Sequence, residues 1–70
     1  MSVFQGIAKK WKYTAVDECG KRYFYTVEPK LCETIWFPVN YMVRDGGFIE
    51  NCPDWKQSLE KRTENEPYRH

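Results

Sequence analysis

Hydrophobic and polar residues alternate most clearly along residues 10–16. An alternation with a period of two is typical of an extended segment with one buried face. Residues 10–16 are therefore predicted to form a half-buried β-strand. The apolar side of this strand would carry Trp11, Tyr13 and Ala15, and the polar side would carry Lys10, Lys12 and Thr14.

A second strand is predicted after a short turn. Residues 17–21 contain the Asp and Gly that tight turns favour, and residues 22–27 are rich in aromatic and β-branched side chains. Together the two strands predict a β-hairpin. Residues 34–39 predict a third strand, in which Pro38 marks an edge position or a strand end because proline donates no backbone hydrogen bond.

The pattern along residues 41–49 fits two local structures. Arg44, Asp45, Gly46 and Gly47 form a strong turn signal with apolar residues on both sides of it. We expect this segment to be either a short hairpin or a loop over the core.

Residues 52–62 carry the pattern of a helix. Pro53 suits the first helical position, and Asp54 would lie near the positive end of the helix dipole. Trp55 and Leu59 are four residues apart and would share the face that packs on the sheet. The predicted fold class is mainly β with one C-terminal helix, in which a curved three-stranded antiparallel sheet is packed by that helix. The domain is predicted to span residues 1–62, and residues 63–70 to be a polar, frayed tail.

Composition narrows the class of protein. A chain of 70 residues leaves room for one small core, so the aromatic side chains, 17% of the residues, must supply much of it. The formal net charge of +1 argues against a dedicated nucleic-acid binder, which would carry a clear basic excess. No signal peptide or membrane span is expected, since no segment approaches about 20 consecutive apolar residues.

Residues suited to chemistry are sparse. Cys19, Cys32 and Cys52 are an odd number without a CxxC pair, which predicts neither a disulfide framework nor a zinc site. His70 is the only histidine, and the carboxylates are scattered singly. We therefore expect no catalytic residue, no metal, no cofactor and no enzymatic activity.

The order of these features resembles that of a chromo shadow domain, the dimerisation and peptide-binding module of the heterochromatin-protein family. The resemblance covers most of the chain and requires one insertion at residues 44–48. The matching positions are Phe4, Gly6, Ile7, Ala15, Asp17, Cys19, Gly20, Phe24, Glu33, Trp36, Phe37, Pro38, Val39, Cys52, Pro53 and Leu59.

The resemblance implies a chromo-like fold and a nuclear adaptor that binds a chromatin-associated protein or peptide. The partner segment is expected to bind at a sheet edge or in a groove between the sheet and the helix. Members of the family dimerise through an apolar stripe on this helix, and the matching positions here are Gln57, Glu60 and Glu64. Because these residues are polar, they would give a homodimer or heterodimer little apolar surface to bury. The predicted partner-binding residues are Trp36, Arg44, Asp45, Phe48, Gln57, Glu60, Lys61 and Glu64.

A WW-like binder of proline-rich peptides is an alternative interpretation. Such a module would hold a polyproline helix with an exposed tyrosine and an exposed tryptophan. The positions that resemble it are Trp11, Gly20, residues 22–25, Trp36 and Pro38.

Two further interpretations involve aromatic residues on strands. Lysines interleaved with Trp11 and Tyr13 would suit a small nucleic-acid-binding β protein. An aromatic cage for methyl-lysine could use Tyr23, Tyr25 or Trp36, although aromatics that alternate on strands more often form the core.

Overall fold

The computed structural model describes residues 3–49 and 52–63, which form short antiparallel strands. Four strands make one sheet in the order β5-β2-β1-β6, and the other two, β3 and β4, pair separately. Their bounds are β1 (Tyr13–Val16), β2 (Lys21–Tyr25), β3 (Lys30–Leu31), β4 (Trp36–Phe37), β5 (Val43–Phe48) and β6 (Glu60–Lys61). The described residues contain no α-helix, so the predicted class of a three-stranded sheet packed by a C-terminal helix is wrong.

The predicted hairpin is confirmed in β1 and β2. These strands pair in register from Tyr13 opposite Tyr25 to Val16 opposite Arg22. The turn is closed by the Asp17 N–H, which donates to the Lys21 carbonyl at 2.9 Å. The hairpin therefore forms where the alternation and the turn residues placed it.

Residues 43–48 form a single strand, so both the predicted hairpin and the predicted loop at residues 41–49 are wrong. β5 runs antiparallel to β2, and a bulge at Gly46 and Gly47 shifts the register opposite Arg22. A Cβ on Gly46 would lie 2.8 Å from Arg22 Cγ, and Gly47 has a φ of +88°. The two glycines therefore provide close approach and a left-handed backbone within a strand, where the local pattern indicated a turn.

The C-terminal segment forms one turn of 3₁₀ helix, Trp55–Gln57, followed by β6. β6 pairs with β1, with Glu60 opposite Thr14. The Ser58 hydroxyl accepts a hydrogen bond from the Val16 N–H at 2.8 Å and lies 2.6 Å from the Trp55 carbonyl oxygen. The pairing of β6 with the open edge of β1 satisfies backbone N–H and C=O groups of both strands. This explains why residues 52–62 do not form the predicted α-helix.

Each face of the two central strands, β1 and β2, packs against its own cluster of aromatic residues. On the first face lies core 1, made of Ala15, Tyr25, Trp36 and Trp55, with the half-buried Leu59 against it. Neighbouring strand residues point to opposite faces, so Phe24 supports core 2 on the second face. Core 2 consists of Phe4, Trp11 and Phe24.

The alternation predicted that Trp11 shares a face with Tyr13 and Ala15, and this prediction is wrong. β1 begins at Tyr13, and Trp11 belongs to core 2. The predicted polar side of the strand is also partly wrong, because Thr14 is completely buried. The Thr14 hydroxyl is satisfied there, since it donates to the Tyr23 carbonyl at 2.9 Å and accepts from Arg22 at 2.8 Å.

Arg62 fastens the N-terminal segment to the end of β6. Its guanidinium donates hydrogen bonds at 2.8–3.3 Å to four backbone carbonyls. The same group lies 5.1 Å from the centre of the Phe4 ring. The acceptors belong to Phe4, Ile7, Ala8 and Trp11. One side chain therefore orders the turns that carry core 2.

The predicted third strand at residues 34–39 is reduced to β4, which lies outside the main sheet. β4 pairs with β3, so that Leu31 is opposite Trp36. Trp36 joins the two sheets: its N–H donates to Asp17 Oδ1 at 2.8 Å, and its carbonyl accepts from the Tyr25 hydroxyl at 3.3 Å. Of the predicted tail, residues 64–70 lie outside the described residues.

Candidate functional site

The predicted partner-binding residues divide between a buried core and two separate sheet edges. Trp36 is only 7% exposed and belongs to core 1, so it offers no surface to a partner. Arg44, Asp45 and Phe48 lie on β5 at one edge of the main sheet.

The remaining predicted residues lie elsewhere. Gln57 is exposed in the 3₁₀ turn, and Glu60 and Lys61 are exposed on β6, at the other edge of the sheet. Glu64 lies outside the described residues. Because Gln57 lies in a single 3₁₀ turn and Glu60 on β6, no α-helix of the described residues carries the predicted dimer stripe, and the predicted groove between sheet and helix is wrong.

The longest open edge of the main sheet is β5. Within residues 3–49 and 52–63, this strand pairs with β2 alone. Its first residue, Val43, is 39% exposed, and Phe48 at its end is 71% exposed. The strand therefore combines a backbone edge with apolar side chains at both ends.

The segment that leads into β5 is fixed by its own hydrogen bonds. The Tyr41 N–H donates to the Pro38 carbonyl at 2.9 Å, and the Asn40 side chain donates to Thr26 Oγ1 at 2.8 Å and accepts from the Met42 N–H at 3.2 Å. Tyr41 is 76% exposed, and its ring meets Phe37 edge to face with centroids 5.7 Å apart. An ordered apolar surface thus precedes the strand edge.

A groove of about 780 Å³ opens beside the far end of β5. The β1–β2 turn forms one wall, where the Gly20 carbonyl accepts a hydrogen bond from the Ile49 N–H at 2.7 Å. Phe48 supplies most of its aromatic surface, because Trp55, which also lines it, is only 7% exposed. The lining residues are Glu18, Cys19, Gly20, Phe48, Ile49, Cys52, Pro53 and Trp55.

Lys21 lies next to this groove, where its side chain extends from β2 to Asp45 on β5. Its ammonium lies 2.7 Å from Asp45 Oδ2 and within cation–π distance of two aromatic rings. The hydrogen bond to Asp45 raises the pKa of Lys21, and the same bond lowers the pKa of Asp45. Both groups are therefore charged at neutral pH.

Apart from Phe48, the groove residues and Lys21 were not among the predicted site residues, because the groove depends on the long-range approach of residues 48–49 and 52–55 to the β1–β2 turn. The one local signal for this approach is Gly20. Its φ is +95°, and a Cβ there would lie 2.7 Å from the Ile49 carbonyl oxygen. A glycine in a predicted turn is too common a signal to indicate a groove.

Of the aromatic residues named in the alternative interpretations, Tyr23 is half-buried, whereas the tryptophans and Tyr25 are buried. Trp36 and Tyr25 are buried in core 1, so neither an exposed WW-type tryptophan nor a cage built on these two rings is present. Trp11 is buried in core 2, which removes the stacking tryptophan of the nucleic-acid interpretation.

In residues 3–49 and 52–63, no group of three or more His, Cys, Asp or Glu side chains is placed to hold a metal ion. The same part of the chain has no helix long and apolar enough to cross a membrane.

Comparisons with protein-family models, curated proteins and solved structures gave no match to this chain. The chromo shadow resemblance therefore stays a prediction from the sequence.

Proposed function

We propose that this chain is a protein-recognition module that binds an extended segment of a partner protein as an additional strand along β5. The observation that carries the proposal is the position of β5. It is a six-residue strand at the edge of the main sheet, flanked by exposed apolar side chains. Backbone N–H and C=O groups on such an edge are a template for another strand.

The bulge determines how much of this edge a partner can use. Regular pairing with β2 holds from Val43 to Asp45 and is interrupted at Gly46 and Gly47. Bulges bend a strand and disrupt its ladder. The partner's backbone therefore pairs with residues 43–45, and the side chains beyond one end of this paired region meet Phe48 and the groove.

Side chains around the edge give this binding mode its specificity. Main-chain hydrogen bonds are common to all extended peptides, so selection comes from the surfaces that receive alternate side chains. Tyr41 and Met42 offer apolar contact before the paired region, and Phe48 offers it after that region. A partner with apolar residues at both ends of a short extended segment fits this arrangement.

The chromatin setting and the nuclear location rest only on the sequence resemblance, and the predicted helix that carried part of it is absent from the fold. Strand addition on β5 does not depend on that setting. The absence of catalysis likewise stays a prediction from the sequence.

The proposal can be tested with peptides that are selected from a displayed random library for binding to the folded protein. A selected peptide is titrated into ¹⁵N-labelled protein and followed by NMR. We expect the largest amide shifts at Val43, Arg44 and Asp45, and little change at Glu60 and Lys61 on the opposite edge.

N-methylated versions of the same peptide provide the matched control, because they block backbone donors without altering the protein. Successive residues of a strand direct their N–H groups to opposite sides. Methylating one alternate set should abolish binding, and methylating the other set should leave it intact. Equal tolerance of both sets, or the absence of any selected binder, would contradict strand addition.

A further inference from the structure

We infer that Tyr23, Asp45 and Phe48 form a binding site for an alkylammonium group, and that Lys21 occupies this site until a lysine side chain of the partner segment replaces it. The inference deepens the proposed function and rests on it only for the identity of the partner. The ammonium site itself can be tested without any peptide.

The three side chains all lie close to one ammonium. Lys21 Nζ lies 2.7 Å from Asp45 Oδ2, 5.6 Å from the centre of the Tyr23 ring and 5.2 Å from the centre of the Phe48 ring. Register explains why they meet: Tyr23 is opposite Asp45, and Lys21 is opposite Phe48. Residues two apart on β2 share a face, so all four side chains lie on the same side of the sheet.

The chemistry of this site selects for a cation. Aromatic faces are negatively polarised and attract an ammonium within about 6 Å of the ring centre, and the carboxylate adds a charged hydrogen-bond acceptor. Glu18 lines the adjoining groove and adds further negative charge nearby. Neither an apolar nor an anionic side chain would gain these interactions.

Exposure makes the Lys21 contact exchangeable. The Asp45 side chain is 69% exposed and Phe48 is 71% exposed, so the fold does not depend on burying them beneath Lys21, whose own side chain is 19% exposed. Exposed ion pairs hold their partners weakly because water and salt compete for both charges. An incoming ammonium on a peptide already paired with residues 43–45 would have a high local concentration, and it could therefore displace Lys21.

The position of the site fits a side chain of the added strand. Asp45 ends the regularly paired part of β5, and Phe48 lies beyond the bulge. A peptide paired at residues 43–45 would reach this place with the side chains just beyond the end of its paired region that lies at Asp45. We therefore assign the partner segment a lysine next to the apolar residue that contacts the groove.

The test uses n-butylammonium as the probe and n-butanol as its uncharged counterpart. Lys21→Met empties the site while keeping an unbranched side chain, and Lys61→Met changes the net charge equally on the opposite edge of the sheet. NMR titration of each variant should show that Lys21→Met binds butylammonium at least fivefold more tightly than Lys61→Met. Butanol should not discriminate between the variants, and adding Phe48→Ala to Lys21→Met should remove the gain.

A measurement on the unsubstituted protein keeps the inference testable if Lys21→Met fails to fold. The ε-methylene protons of Lys21 should resonate upfield because of the Tyr23 and Phe48 rings, and saturation with butylammonium should move them toward the position of an exposed lysine. Equal affinity of Lys21→Met and Lys61→Met, or equal binding of butanol and butylammonium, would overturn the site. If butylammonium binds as expected and no peptide does, the ammonium site stands and strand addition fails.

Discussion

The indole nitrogen of Trp36 donates a hydrogen bond to the backbone carbonyl of Trp55 at 3.1 Å, and both rings are buried in core 1. The bond joins β4 in the small sheet to the 3₁₀ turn that precedes β6. Since β6 in turn pairs with β1, this contact links both sheets across one face of the molecule. Core 1 therefore depends on residues far apart in sequence.

Replacing Trp55 with alanine should lower the free energy of unfolding by about 3–5 kcal/mol, because it removes a large buried side chain and leaves a cavity. Urea denaturation followed by circular dichroism measures the loss. Lys56→Ala is the control, since Lys56 is the exposed neighbour in the same 3₁₀ turn. Equal unfolding free energies for the two variants would contradict the burial of Trp55.

Replacing Arg62 with lysine should release the N-terminal turns. A lysine keeps the charge, but it lacks the planar fork that reaches four carbonyls at once. We expect a loss of about 2 kcal/mol in unfolding free energy, in line with hydrogen bonds to a charged group.

Hydrogen exchange separates this effect from general destabilisation. In Arg62→Lys the amides of Ile7 and Trp11, which donate to Phe4 and Ala8, should exchange faster, while the amides of β2 should stay protected. The control is Lys61→Arg, which alters an adjacent exposed residue. Uniformly faster exchange would argue against a local role for Arg62.

The β1–β2 hairpin could be predicted from sequence because its signals are local. Alternation along residues 10–16 and the turn at Asp17 and Gly20 lie within the element that they specify. β5 and β6 depend on contacts that no local pattern contains. Gly46 and Gly47 indicate a turn in the local sequence, but they form a bulge because they pair opposite Arg22 of a distant strand. Trp55 and Leu59 indicate a helix, but residues 60 and 61 pair with the open edge of β1 instead.

The candidate site shows the same division. The exposure of Asp45 and Phe48 follows from a polar and glycine-rich segment, and both residues were predicted to contact a partner. The burial of Trp36 could not be predicted, because its polar groups are satisfied by distant residues. These partners are Asp17, Tyr25 and Trp55.

Replacing Gly20 with alanine should be more harmful than replacing Gly6 with alanine. Both glycines have positive φ, at +95° and +79°, so both substitutions strain the backbone by about 1–3 kcal/mol. Only at Gly20 would the new Cβ lie 2.7 Å from the Ile49 carbonyl oxygen, whereas nothing lies within 4 Å at Gly6. Thermal unfolding of the two variants isolates this contact, and equal melting temperatures would show that Ile49 does not approach the turn.

Replacing Asp17 should have opposite consequences for alanine and asparagine. Asp17 is 6% exposed, and its Oδ1 accepts the Trp36 N–H at 2.8 Å. Alanine leaves that buried donor without an acceptor, which costs about 1–3 kcal/mol. Asparagine keeps an acceptor oxygen and carries no charge to desolvate, so at pH 7 it should be at least as stable as the unsubstituted protein. A loss in Asp17→Asn as large as that in Asp17→Ala would contradict this account.

The pH dependence of Asp17→Asn gives the sharper test. Burial raises the pKa of Asp17 above 3.8, and the Trp36 hydrogen bond opposes this rise to a lesser extent. Between the unfolded and folded pKa values the folded chain binds more protons, so the stability contributed by this group falls as the pH rises through that window. Asparagine does not titrate. The unfolding free energy of Asp17→Asn relative to the unsubstituted protein should therefore increase from pH 3.5 upward and become constant once the folded pKa is passed.

Urea denaturation across that range measures the difference, and Asp54→Asn, which removes an exposed carboxylate, corrects for the lost charge. Parallel pH profiles for Asp17→Asn and the unsubstituted protein would mean that the carboxylate of Asp17 is hydrated in the folded chain.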